Sequence, residues 1–175
     1  MKKIFLAFTF TFLLLASFAQ TVPDSTGSAV SKTDAQQALD MHNKVRKDVG
    51  SAPLEWSPQL SAFAQAWADH LAASDCAFEH RPGEGEWASG YGENIFMGSG
   101  SFTVNDASES WYSEIKDYVY GALTAENFSG TGHYTQMVWH STTKVGMGVS
   151  VCSNGNYIIV ANYDPAGNML GDKPY

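Results

Sequence analysis

Between Asp34 and Val49 the residues Ala38, Leu39, His42, Val45 and Val49 fall on one face at helical spacing, and Gly50 follows as a stop signal. A second helix opens at Ser57-Pro58. The serine suits an N-cap, and proline suits a first turn where its amide would have no partner. Leu60, Phe63, Ala64, Trp67 and Leu71 form its apolar face. From Phe78 to Ser101 glycines and Pro82 break the pattern, so this stretch reads mostly as loop. Thr103 and Asp106 then resemble a capping box, with Asp replacing the usual Glu or Gln. They start a third helix running to about Asp117, with Ala107, Trp111, Ile115 and Tyr118 inward.

After an aromatic loop from Lys116 to Phe128, alternation replaces helical spacing. Tyr134, Gln136 and Val138 would face one way and Thr135, Met137 and Trp139 the other, which predicts a strand with His133 at its mouth. Two more strands follow, Val145–Val151 and Tyr157–Tyr163, joined across an Asn154-Gly155 hairpin signal. The tail from Pro165 to Tyr175 is irregular. Helices first and strands later imply an α+β fold.

The N-terminus changes the cellular picture. Lys2-Lys3, an apolar run from Ile4 to Ala16, and the small residues Ser17 and Ala19 read as a signal peptide, residues 1–19. Residues 20–33, rich in Ser, Thr, Gly and Pro, read as a flexible lead-in, and 34–175 as one domain. Export predicts a secreted, extracellular protein, periplasmic if the source is a Gram-negative bacterium. Asn127-Phe128-Ser129 would be a glycosylation sequon in a eukaryote. Export also makes a disulfide between Cys76 and Cys152 the expected state of the two cysteines.

Charge narrows the partners. The chain carries a formal −8, and taking away the two positive charges of Lys2 and Lys3 leaves −10. Such a surface disfavours nucleic acid and limits membrane contact to a peripheral kind. A monomer is expected.

Candidate chemistry comes from titratable groups near apolar positions. Glu114, beside Trp111 and Ile115, sits at the inner edge of the third helix's apolar face and must be paired, hydrogen-bonded or protonated. Glu93 lies between a glycine loop and an apolar pair, and His80 follows Cys76 and Phe78. With His133 these are two imidazoles and two carboxylates. Spacing alone does not decide whether they meet.

The residues resemble a known family at this point. His133–Trp139 is similar to the first signature of the CAP superfamily, which unites cysteine-rich secretory proteins, antigen 5 and pathogenesis-related class 1 proteins. In order along the chain, His42-Asn43-Lys44-Val45-Arg46, Pro53-Leu54-Glu55-Trp56, Cys76-Ala77-Phe78-Glu79-His80, Gly92-Glu93-Asn94-Ile95 and Trp111-Tyr112-Ser113-Glu114 match further family segments. Asn162–Asn168 resembles the second signature. The resemblance runs from about Ala35 to Tyr175, and the plant pathogenesis-related branch is the nearest.

It implies an α-β-α sandwich with a central antiparallel sheet flanked by helices, and a cleft formed by His80, Glu93, Glu114 and His133. It also implies the Cys76–Cys152 pairing. Met147 and Ala161 stand where the disulfide-rich branch has two mutually bonded cysteines, a coherent loss of one bridge. A local bridge near Phe128–Gly132 is missing as well.

No cofactor is obligatory. Two imidazoles suit Zn²⁺ or another divalent cation, with His80 and His133 as ligands and the glutamates behind them. A metal-free network of charge-assisted hydrogen bonds is the competing reading. No catalytic residue stands out: HExxH and Gly-x-Ser-x-Gly are absent from the sequence. The function expected is therefore non-enzymatic, in extracellular binding or defence, with a metal-dependent hydrolase as the alternative. Family members also bind sterols or fatty acids, which makes Tyr118, Tyr120, Leu123 and Phe128 a candidate lipid-contact loop; an extracellular protein is the other partner class. Finally, Pro165-Ala166-Gly167-Asn168 and Pro174-Tyr175 resemble the tail that plant relatives release as a signalling peptide, with a packed tail as the plainer reading.

Overall fold

The computed structural model describes residues 20–175; the expected signal segment 1–19 lies outside the described residues. Helix α1 (Lys32–Val49) starts where the Ser31 side chain accepts from the Asp34 amide, and ends at Gly50 in the left-handed region. A short strand β1 (Glu55–Trp56) leads to α2 (Pro58–Ala73), capped by Ser57 as its sequence predicts. Strand β2 (Gly92–Ser99) precedes α3 (Val104–Tyr112), whose Thr103–Asp106 capping box is complete. A 3₁₀ turn (Ser113–Asp117), a short helix α4 (Ala125–Phe128) and α5 (Gly132–Val138) follow. The chain closes with β3 (Lys144–Val151) and β4 (Asn156–Asp164).

The four strands form one sheet in the order β1-β3-β4-β2. It is antiparallel except at one edge, where β1 runs parallel to β3. Alternation along β4 sorts the core into two layers. Ile159, Ala161 and Tyr163 join Val145 and Met147 against α1, α3 and α5, while Ile158 and Val160 face Ala64, Trp67 and Leu71 of α2. This is the α-β-α sandwich. Gly146 and Gly148 bring α2 close to the sheet: a Cβ at Gly146 would lie 2.3 Å from the Ser61 nitrogen, and one at Gly148 2.4 Å from Gln65.

Cys76 and Cys152 are bonded and tie the end of α2 to the β3–β4 turn across 76 positions. Met147 and Ala161 are direct cross-strand partners, both fully buried. Where the resemblance to the disulfide-rich branch would place a second bridge, this chain has two buried apolar side chains.

Four expectations are corrected. The segment Tyr134–Trp139 is helix α5, not a strand. Tyr134 through Val138 are all buried, so alternation there carried no face information. Part of the expected loop 78–101 is strand β2, paired along its whole length with β4; cross-strand hydrogen bonds override its glycines. Ile115 points outward at 38% exposure because the 3₁₀ turn shifts the helical phase after Tyr112. Residues 20–31 are packed on the domain rather than trailing from it. Val22 and Val30 are buried, the Val22 amide donates to Gln36 at 2.9 Å, and Trp56 Nε1 donates to the Thr26 carbonyl at 3.0 Å.

Candidate functional site

Glu114 leaves α3 on the 3₁₀ turn and meets the start of α5. Its Oε1 accepts from the His133 ring Nδ1 at 2.6 Å. Its Oε2 accepts from the His133 and Tyr134 amides at 2.9 and 3.0 Å. One carboxylate thus satisfies amides at the helix start that have no intrahelical partner. The His133 ring also stacks on Trp111, with centroids 6.1 Å apart and planes tilted by 22°.

At the other end of α5, Arg46 of α1 acts as the counterpart. Its guanidinium donates to the Met137 and Trp139 carbonyls at 2.9 Å each, to Thr142 at 2.8 Å and to Ala52 at 2.6 Å. Burial pushes its pKa down to about 10, which still leaves it charged at neutral pH. A cation at helix C-terminal carbonyls is favourably placed. The two ends of α5 are therefore held by side chains far away in the chain.

A second imidazole–carboxylate pair faces the first. His80 Nδ1 lies 2.9 Å from Glu93 Oε1, which also accepts the Arg81 amide at 3.0 Å. The Arg81 guanidinium lies behind this pair, 3.7 Å from Glu93 Oε2 and 3.8 Å over the Phe63 ring. It donates to the Phe63 carbonyl. Burial lowers its pKa, and the Glu93 charge opposes that shift.

All four predicted residues line one chamber of about 220 Å³, together with Phe128 and Asn168. A neighbouring chamber of about 340 Å³ shares His80, Glu93, Phe128 and Asn168 with it and extends toward Tyr91 and Gln136. The two histidines differ in access: the His80 side chain is 61% exposed and that of His133 33%.

Both rings engage their glutamates through Nδ1, which leaves each Nε2 for another partner. Carboxylates placed at the other ring nitrogen are usual supports of metal-ligating histidines. Both rings line the same chamber. Among the described residues no group of three or more His, Cys, Asp or Glu side chains forms a ready-made metal cage. Without a cation, each imidazole keeps a charge-assisted hydrogen bond to its carboxylate, while Glu93 Oε2 is buried without a hydrogen-bond partner, 3.7 Å from Arg81 Nε.

Of the candidate lipid-contact residues, Tyr120 and Phe128 are exposed. Leu123 is buried, and its backbone pairs with Asp172 and Gly171 of the tail. Tyr118 packs on Tyr134 and Tyr175, while Tyr120 donates to the Tyr175 carbonyl at 2.8 Å. Phe128 lines the chamber.

The tail itself is a wall of the site. Asn168, left-handed at φ 60°, donates to the Gly132 carbonyl at 2.8 Å and accepts from Thr135 Oγ1 at 2.7 Å. The Gly167 amide donates to Gln136 Oε1 at 3.1 Å, and the Pro174 carbonyl accepts from the His140 amide at 2.7 Å. Arg81 and Asn168 were not singled out from the sequence as site residues. Adjacency to His80 and membership of the second signature were the available signals.

Known proteins resemble this chain in sequence and fold. A family model described as the cysteine-rich secretory protein family, CAP, matches residues 39–163. Pathogenesis-related protein 1C of Nicotiana tabacum is 42% identical over 149 residues, covering 85% of this chain and 84% of its own. Pathogenesis-related protein PR-1 of Medicago truncatula is 39% identical over 98% of this chain and 99% of its own. Among solved structures, NaASP2 with Zn²⁺ superposes with a TM-score of 0.72 at 31% identity, covering 87% of this chain and 88% of that one. BmVAL-1 gives 0.69 at 28% identity, with coverage of 85% and 84%.

Proposed function

Because the chain belongs to the cysteine-rich secretory protein (CAP) family, we propose that it is a secreted, defence-related protein whose cleft binds a divalent cation through His80 and His133. The observation that carries the reading is the matched pair of imidazoles, each held at Nδ1 by its own glutamate and both lining one chamber. Glu93 and Glu114 orient the rings. Imidazole nitrogen suits Zn²⁺, and the solved relative NaASP2 with Zn²⁺ points the same way. The role is one of extracellular binding, not turnover. In the described residues no helix is long and apolar enough to cross a membrane.

Calorimetric titration of Zn²⁺ into the purified protein and into His133→Ala tests the cleft. Micromolar binding that the variant loses is expected. Equal heats in both, or none in either at micromolar metal, would overturn it. Secretion is tested separately by mass spectrometry of the exported protein, which should begin at Gln20.

A further inference from the structure

A buried line of hydrogen bonds joins the carbonyl of Ala38, in α1, to the carbonyl of His133, at the cleft. His42 Nδ1 lies 2.8 Å from the Ala38 carbonyl, and His42 Nε2 lies 2.9 Å from Tyr163 Oη. Asn94 Nδ2 lies 3.2 Å from the same Tyr163 oxygen and 3.1 Å from the His133 carbonyl. His42 and Tyr163 are fully buried and Asn94 is 1% exposed, so water does not compete for these contacts.

Both ends are carbonyls, which only accept, and this sets every proton between them. Asn94 must turn its NH₂ toward His133. Its second N–H then points at Tyr163 Oη. The Tyr163 hydroxyl is left to donate to His42 Nε2, so His42 carries its single proton on Nδ1 and donates to Ala38. No other arrangement pairs all of these groups. A second proton on His42 would set two donors against Tyr163 Oη and leave the hydroxyl hydrogen without an acceptor.

We propose that His42 and Tyr163 are positioning residues for His133, acting through Asn94. Glu114 and Trp111 hold the His133 ring and amide on the chamber side, and Asn94 holds its carbonyl from within the core. Loss of the Tyr163 hydroxyl frees one buried Asn94 N–H, and the side chain then turns to satisfy it at the expense of His133. The chain acts on His133 with or without a cation in the cleft.

The test is carbon-detected NMR of the intact secreted protein, reading the His133 carbonyl and the Asn94 side-chain amide. Tyr163→Phe removes one oxygen and should move both signals, while Ala64 and Leu71 on the far side of the sheet stay in place. His42→Leu should produce the same displacement. His42→Gln, which offers an amide oxygen to the Tyr163 hydroxyl, should restore the wild-type positions. A folded Tyr163→Phe protein whose His133 carbonyl is unmoved would overturn the proposal, as would a Gln variant displaced as far as Leu. Should His42→Leu fail to fold, the Tyr163→Phe result decides.

Discussion

Glu114 holds His133 twice: one carboxylate oxygen accepts from the ring at 2.6 Å and the other from the backbone amide of the same residue at 2.9 Å. The side chain and the helix start are thus fixed by one group. Glu114→Gln replaces one acceptor oxygen with an NH₂, which then confronts either the ring N–H or the two amides. We expect a loss of about 2 kcal/mol in urea denaturation, in the range for hydrogen bonds to charged groups. Zn²⁺ affinity should fall by roughly 10- to 100-fold, as when a carboxylate supporting a ligand histidine is removed. Unchanged stability and affinity would show that the carboxylate is dispensable.

Arg46 is a buried cation satisfied entirely by carbonyls, without a carboxylate partner among its hydrogen bonds. Lysine keeps the charge but loses the planar fork, so it cannot serve carbonyls spread over α5 and two loops. Arg46→Lys should cost about 3 kcal/mol or more in chemical denaturation. It should also increase hydrogen exchange selectively in residues 132–142. A variant as stable as wild type would disprove the role assigned to the fork.

The buried His42 makes stability depend on pH. Burial is the main cause that lowers its pKa to about 4, aided by the Arg46 charge and opposed by the bond to Ala38. In the unfolded chain it titrates near the ordinary histidine value of 6.5. Above that value both states are neutral and the contribution is fully present. As pH falls from 6.5 toward 4 the unfolded state takes up a proton that the folded state refuses, so stability declines. The loss is on the order of 3 kcal/mol. Urea midpoints measured across this range in wild type and His42→Gln should diverge, with the flatter profile in the variant.

The disulfide spans 76 positions and is the sole bridge among the described residues. Cys76→Ser with Cys152→Ser should lower stability by about 4 kcal/mol in the chain-entropy account. Equilibrium denaturation of the double variant, and of wild type with and without reductant, measures this. The loss should be larger than for relatives in which a second bridge occupies the positions of Met147 and Ala161.

Asn168 ties the tail to the start of α5 through Gly132 and Thr135 while lining both chambers. Asn168→Ala removes both bonds and puts an alanine where φ is positive, so a loss of about 2 kcal/mol is expected. Asn168→Gly should lose less, because glycine accepts the backbone angle. Thermal melts of the two variants give the comparison. A tail held this way should also keep the chain intact at Asp164, which mass spectrometry can check.

Much of this molecule is written locally. Ser57 and Thr103 each cap a helix whose start could be read within a few residues, and Gly50 ends α1 by the same local logic. The β3–β4 hairpin follows from alternation around Asn154-Gly155. The two cysteines in an exported pattern, and the ordered motifs carrying His80, Glu93, Glu114 and His133, were legible without any structure. Helix α5 was not, because its ends are satisfied by Glu114 and Arg46, residues that lie 19 and 91 positions from their targets. With both faces buried, no polar side remained to reveal a period. Strand β2 likewise owes its form to β4, which follows it by about 60 residues and supplies the hydrogen bonds its glycines cannot promise. The sequence by itself thus determined which groups are present and which helices begin where. Only the tertiary structure decided which groups meet, since convergence depends on contacts between segments that share no local pattern.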